Sequence, residues 1–248
     1  MSAGHEISLP TVWKADRDGD HLSIMSLTAQ AFELAKTAMG YTADALGAYS
    51  KKSLQMVLQC EKQLDELDHE IDEHIGFAVS HASPAKTREL LACLKCTIDL
   101  ERTGDLLCSL IHIYGATHSK MEMQDITELI RMASVIEKML RDVHQAFTNR
   151  DAEVSLSVLR ADAEVDRLRN LIYMRHLEMR EPYASSSIHV LLMAQALERA
   201  GDHTKNLAEE VCHMVSGHSM RHLAQGLEQS QEQMYLRWLR QSKTAVNC

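Results

Sequence analysis

Aromatic residues make up only 4% of this 248-residue chain, and its breakers are equally scarce, with three prolines and ten glycines. Sandwiches, barrels and nucleotide-binding α/β sheets need more turn residues than that. Six stretches rich in Ala, Leu, Met and Glu leave little room for strands, so the expected fold class is all-α. With 45% apolar and 25% charged residues the chain is also far from a disordered composition. No window approaches the roughly 18 apolar residues that cross a bilayer. The segment Met1 to Asp20 has no positively charged stretch followed by an apolar run, and the expected location is cytoplasmic. Bases are in deficit, 26 against 35 acids for a net charge of −9, which disfavours a direct nucleic-acid partner. Six cysteines (Cys60, Cys93, Cys96, Cys108, Cys212, Cys248) formally permit three disulfides. A chain of this size has core enough without staples and carries no secretory signal, so reduced, buried thiols are expected.

What is present is a duplication. Leu100-Glu101-Arg102-Thr103-Gly104-Asp105 returns as Leu197-Glu198-Arg199-Ala200-Gly201-Asp202, offset by 97 residues. Pro84 pairs with Pro182 at an offset of 98, and Glu61-x-x-Leu64-Asp65-x-Leu67-x-x-x-Ile71 pairs with Asp162-x-x-Val165-Asp166-x-Leu168-x-x-x-Ile172 at 101. The drop in offset is what a shorter loop in the second copy produces. Periodicity and breakers predict helices over 21–48, 50–81, 85–115, 121–148, 151–181 and 185–216, with Ser50 and Asp151 as N-caps and each proline opening a helix. The expected organisation is an extension over 1–20, three-helix bundles over 21–117 and 118–217, and a helical tail over 218–248.

Residues four apart on a helix share a face, so the repeats contain four carboxylate pairs: Glu61/Asp65, Glu101/Asp105, Asp162/Asp166 and Glu198/Asp202. Each pair weakens an isolated helix by a few tenths of a kcal/mol. A solvated face with Arg102 and Arg199 as intrahelical counterions is the plain explanation for any one of them. Recurrence on two helices of each half points instead to a retained site, a hard carboxylate cage for Mg, Mn or Fe, with Zn as a further option. Asp68 and Asp72 extend the first stripe, whereas the second copy has Arg169 and Tyr173 there, so these two acids are auxiliary. Gly104 and Gly201 sit between arginine and acid in both copies, where a helix-interior glycine costs about 1 kcal/mol, and a close helix approach is the expected reason.

These spaced segments, with the continuation Asp202-His203-Thr204-Lys205-Asn206-Leu207-Ala208-Glu209, resemble the PhoU family of phosphate-uptake regulators over roughly residues 20–217. The resemblance implies a non-enzymatic, cytoplasmic regulator of two three-helix bundles that represses the phosphate-starvation response. Its implied partners are the phosphate ABC transporter and a two-component sensor histidine kinase, and its implied state is a homodimer or larger assembly. It also implies metal ions on the four acidic pairs. Asn206 and Glu209 are auxiliary candidates whose first-half counterparts are Ser109 and His112, so the two sites need not be equal; Arg88 has Ser185 as its counterpart.

A ferritin-like di-iron oxidase is the alternative from another class, since Glu66-x-x-His69 and Glu210-x-x-His213 have its spacing, with Glu33 and Glu178 upstream. These lie at non-equivalent places of the repeat, which counts against them. Cys93-Leu-Lys-Cys96 lacks a second pair for zinc and reads as core packing. Met132, Met139 and Met193 read as core, the His218/His222 pair as solvated, and the tail bearing Met234, Tyr235, Leu236, Trp238 and Leu239 as a helix packed back on the bundle.

Overall fold

Helices begin where the capping residues fall. In a computed structural model describing residues 19–178 and 185–217, six long helices run in order: α1 (Gly19–Gly47), α2 (Lys51–His81), α3 (Pro84–Thr117), α4 (Met123–Asn149), α5 (Ala152–Glu178) and α6 (Ser185–Ser216). Pro182, most of the expected N-terminal extension, and the whole tail with its histidine pair and Cys248 lie outside the described residues. Ser50 Oγ accepts the Ser53 amide at 3.2 Å and Ser83 caps α3 ahead of Pro84 at its first turn. Asp151 Oδ1 accepts the Glu153 amide at 2.9 Å, capping α5 as its sequence position predicts. At 27 to 34 residues the helices are about 40 to 50 Å long at 1.5 Å per residue.

α1, α2 and α3 form one bundle and α4, α5 and α6 the other. The halves do not stand apart. α1 packs on α4, and α3 packs on α6 in the most extensive of all the helix pairings, so the apolar stripes of both bundles merge into a single core. Phe32 of α1 lies against Phe147 of α4 with ring centroids 5.1 Å apart, and Met132, Met139 and Met193 are buried as core. Five of the cysteines are free and buried, with Cys93 and Cys96 packed in α3. Buried threonines cost no unpaired hydroxyl, because Thr28, Thr42, Thr97, Thr103 and Thr204 each donate to the carbonyl four residues back. Across the seam Arg88 stands beside Gly217, Lys95 pairs with Glu210 at 3.0 Å, and Asp99 with His203 at 2.7 Å. The rising numbers on α3 meet falling numbers on α6, so these helices are antiparallel. α2 and α5 remain on the outer flanks, each presenting its acidic stripe beside the repeated segment of α3 or α6.

Candidate functional site

The first acidic cluster exists because α2 and α3 approach closely. A Cβ at Gly104 would lie 2.9 Å from Leu64 Cδ1 and 3.7 Å from Glu61 Cα, so glycine is what lets the Glu101–Asp105 turn of α3 lie against the Glu61–Asp65 turn of α2. Six acids share this surface: Glu61, Asp65, Asp68 and Asp72 from α2, and Glu101 and Asp105 from α3. Burial, then the charges of Asp65 and Asp105, push the Glu61 carboxyl above the usual range against the pull of His112. Burial and Asp105 likewise raise Glu101, against Arg102. Burial followed by Asp72 and Asp65 raises Asp68, whose Oδ1 is buried with no hydrogen-bond partner among the described residues. Arg102 and His69 pull the other way, but neither hydrogen-bonds this oxygen, which stays withdrawn from water and without a direct partner. The expected counterion Arg102 reaches Glu101 through Nε at 3.5 Å while its side chain is 60% exposed, too open to neutralise six acids.

The second cluster has the same backbone plan and different electrostatics. A Cβ at Gly201 would lie 3.3 Å from Val165 Cγ1, so α5 and α6 also meet closely. Here two cations are built in. Lys205 Nζ lies 2.7 Å from Oδ2 of the buried Asp162, and Arg169 Nη2 lies 3.8 Å from Glu198 Oε1. Arg169 also sits over the Tyr173 ring at 5.5 Å, while Tyr173 donates to Gln195 at 2.9 Å and Gln195 to Glu198 at 2.7 Å. Burial lowers the Lys205 pKa, but its hydrogen bond to Asp162 and the charges of Asp162, Asp202 and Glu209 hold it above the usual lysine range. Burial and Asp202 raise Glu198, against Arg169; burial and Asp162 raise Asp202, against Lys205.

The expected intrahelical counterion Arg199 makes no ion pair among the described residues; Lys205 and Arg169 do that work. The repeat offsets place Asp68 opposite Arg169 and Cys108 opposite Lys205, so the first cluster carries acid or neutral groups where the second carries cations. Of the auxiliary candidates, Asn206 donates to Asp99 at 3.4 Å and belongs to the α3–α6 seam, and Glu209 is buried within reach of the Lys205 charge.

Among the described residues no three His, Cys, Asp or Glu side chains already converge in a metal-holding arrangement. The donor chemistry of the first cluster fits a hard cation, and the orphaned Asp68 oxygen supplies the observation. In the second, Lys205 occupies the role a cation would take at Asp162. Of the di-iron candidates His213 Nδ1 lies 3.9 Å from Glu210 Oε2, but Glu66 is 3.9 Å from Lys62, His69 3.2 Å from Glu73 and Glu210 3.0 Å from Lys95, while the Glu178 side chain lies outside the described residues. Glu66, His69 and Glu210 each sit in an ordinary ion pair, and Glu33 faces Lys36 at 2.6 Å and His144 at 3.5 Å.

Fold and site together define a class: a duplicated all-helical protein carrying one carboxylate surface per repeat. A family model described as the PhoU domain matches residues 28–113 and 129–211, once in each repeat. The chain belongs to the PhoU family. It is 31% identical over 190 residues, 73% of this chain and 76% of the relative, to the phosphate-specific transport system accessory protein PhoU homolog of Pseudomonas aeruginosa. To PhoU homolog 1 of Thermotoga maritima, of the same description, it is 28% identical over 195 residues, 76% of this chain and 84% of the relative. Among solved structures it superposes on PhoU from Pseudomonas aeruginosa with a TM-score of 0.75 at 23% identity, covering 82% of this chain and all of that one. PhoU from Streptococcus pneumoniae, a phosphate transport system regulatory protein, gives 0.72 at 16% identity, covering 82% of this chain and 99% of that one. These two likenesses establish the fold.

Proposed function

We propose that the chain is an accessory protein of a phosphate-specific transport system, a non-enzymatic adaptor between a phosphate ABC transporter and a sensor histidine kinase that restrains the phosphate-starvation response. What carries the reading is the family match in both repeats, together with curated relatives named as accessory proteins of that system. Among the described residues no helix is long and apolar enough to cross a membrane, which suits a partner docking on a membrane transporter from the cytoplasm. Homodimers or larger assemblies form part of the reading. Affinity capture of the tagged chain from cells grown at high and low phosphate tests it. Recovery of transporter subunits or the kinase supports it, and recovery of neither under both conditions refutes it.

The reading extends to metal. Glu61, Asp65, Glu101 and Asp105, with Asp68 and Asp72 beside them, would hold a divalent or trivalent cation in the first repeat, and Asp162, Asp166, Glu198 and Asp202 in the second. Iron, manganese, magnesium or zinc satisfies the oxygen donor set to differing degrees, with the harder ions favoured. A bound cation would supply positive charge that offsets the carboxylates and cross-links two helices. The first cluster is the stronger site, because Lys205 and Arg169 already neutralise part of the second.

A further inference from the structure

The duplication has a further effect at the seam between the repeats, beside the first acidic cluster. Arg102 and Arg199 hold the same place in the two repeated segments, and α3 and α6 run antiparallel with Lys95 opposite Glu210 and Asp99 opposite His203. In that register the middle of each repeated segment falls at the same crossing, so both arginines open onto the same groove. They line one open groove of about 430 Å³ together with His112, His203, Ser109 and Asp105. Two like-charged guanidiniums brought to one groove repel each other unless an anion lies between them.

The histidines are set to help. His112 Nδ1–H donates to the Cys108 carbonyl at 2.7 Å, and His203 Nδ1 is held by Asp99 at 2.7 Å. With Nδ1–H donating in both, Nε2 of each neutral ring is left as an acceptor, suited to the P–O–H hydrogen of a hydrogen phosphate. Arg199 makes no ion pair among the described residues, and Arg102 reaches Glu101 through Nε at 3.5 Å. The groove therefore offers guanidinium N–H donors from both repeats, two imidazole nitrogens and a serine hydroxyl around a single acid.

We propose that this groove binds a phosphate group, clamped between Arg102 and Arg199 and steadied by His112, His203 and Ser109. A tetrahedral oxyanion presents acceptors in several directions, which suits donors arriving from two helices, and guanidinium forks match pairs of its oxygens. The groove adjoins the first carboxylate cluster, since Asp105 lines both and Arg102 also reaches Glu101, but the clamp itself is made by the arginines and needs no bound metal. Its volume admits either free phosphate or the phosphate of a small monoester.

The test is isothermal titration calorimetry of the full chain, treated with chelator and dialysed, using inorganic phosphate as the probe and AMP as a second. The expected result is saturable phosphate binding that weakens roughly ten- to hundredfold in Arg199→Gln and in Arg102→Gln, the range for losing a charge-assisted hydrogen-bonded contact. Arg199→Lys, which keeps the charge and loses the fork, falls between. Both arginines are exposed, and unchanged far-UV circular dichroism and melting of Arg199→Gln separate loss of binding from loss of fold. AMP displacing phosphate assigns the groove to a monoester, and AMP without effect assigns it to the free ion. No binding to the wild type at tens of millimolar phosphate overturns the proposal. So does binding that Arg199→Gln and Arg102→Gln leave unchanged, or binding that appears only after metal is added back.

Discussion

Substituting alanine for Gly104 sets two effects of known sign against each other. Alanine in place of a helix-interior glycine gains about 1 kcal/mol. The new Cβ would lie 2.9 Å from Leu64 Cδ1, and Leu64 is 1% exposed, so its methyl has no free space to enter. Overpacking of this kind costs about 1–3 kcal/mol, which leaves Gly104→Ala destabilised by about 1 kcal/mol. Gly201→Ala meets Val165 Cγ1 at 3.3 Å, a contact relieved by a few tenths of an ångström, and comes out near neutral. Gly76→Ala meets nothing within 4 Å and keeps its whole gain of about 1 kcal/mol. In urea denaturation followed by circular dichroism the order of stability is therefore Gly76→Ala, then Gly201→Ala, then Gly104→Ala, over a span of about 2 kcal/mol. At about 2–4 °C per kcal/mol for a chain of this size, melting temperatures separate the extremes. A double-mutant cycle isolates the cause. Leu64→Ala alone costs about 2–5 kcal/mol, but in that background Gly104→Ala reverts to stabilising by about 1 kcal/mol. If Gly104→Ala stabilises the wild type as much as Gly76→Ala does, the close approach of α2 and α3 is not what glycine serves.

Glu101→Gln removes a carboxylate whose pKa is raised in the fold, a penalty fully present above the folded pKa and absent below the ordinary one. In metal-free protein the variant is thus more stable than wild type at pH 7–8, with the advantage vanishing below about pH 4 in thermal melts, and an added divalent cation reverses the ranking. Glu89 behaves oppositely: although burial raises its pKa, hydrogen bonds and charge from Arg150 and His21 hold it below the usual range. Its contribution, about 1–2 kcal/mol on the scale of charged hydrogen bonds, is present above the ordinary carboxylate pKa and lost as pH falls through the folded value. Glu89→Gln therefore lowers the melting temperature at pH 7 and converges with wild type in acid. Lys205→Gln leaves the buried Asp162 without its cation, so it destabilises the metal-free chain by about 2–4 kcal/mol and raises the divalent-metal affinity of the second cluster, both readable by calorimetry.

Much of the fold is written in local residue choices. Ser50, Ser83 with Pro84, and Asp151 start their helices by hydrogen bonds confined to one turn, which is why their positions are readable without tertiary information. The repeated glycine between arginine and acid marks a close helix approach in both halves, and the structure has it at Leu64 and at Val165. Helix ends drift by a few residues, as where α3 continues to Thr117 and α4 begins at Met123, because a 3₁₀ turn over His118–Lys120 takes up part of the connection. The seam is not visible in periodicity, since a stripe on α1 facing α2 and α3 looks the same as one that also covers α4. Cations of the second cluster escaped for a related reason. Lys205 is seven residues from Glu198 on its own helix, but its partner is Asp162 on α5, 43 residues away. The mismatch of Asp68 with Arg169 was the available signal. The buried Asp125, bonded to His176 at 3.0 Å and to Arg175, joins residues 50 and 51 positions apart and left no trace in any motif.

The measurement that bears most directly on the carboxylate surfaces is metal content per chain, by plasma mass spectrometry, of protein purified without chelator. Wild type is compared with Glu101→Gln/Asp105→Asn and with Glu198→Gln/Asp202→Asn. The first double variant is expected to lose the more tightly held metal, resistant to dialysis in wild type, and the second a smaller or more weakly held fraction. Wild-type metal content in both double variants would contradict the assignment of metal to these carboxylates.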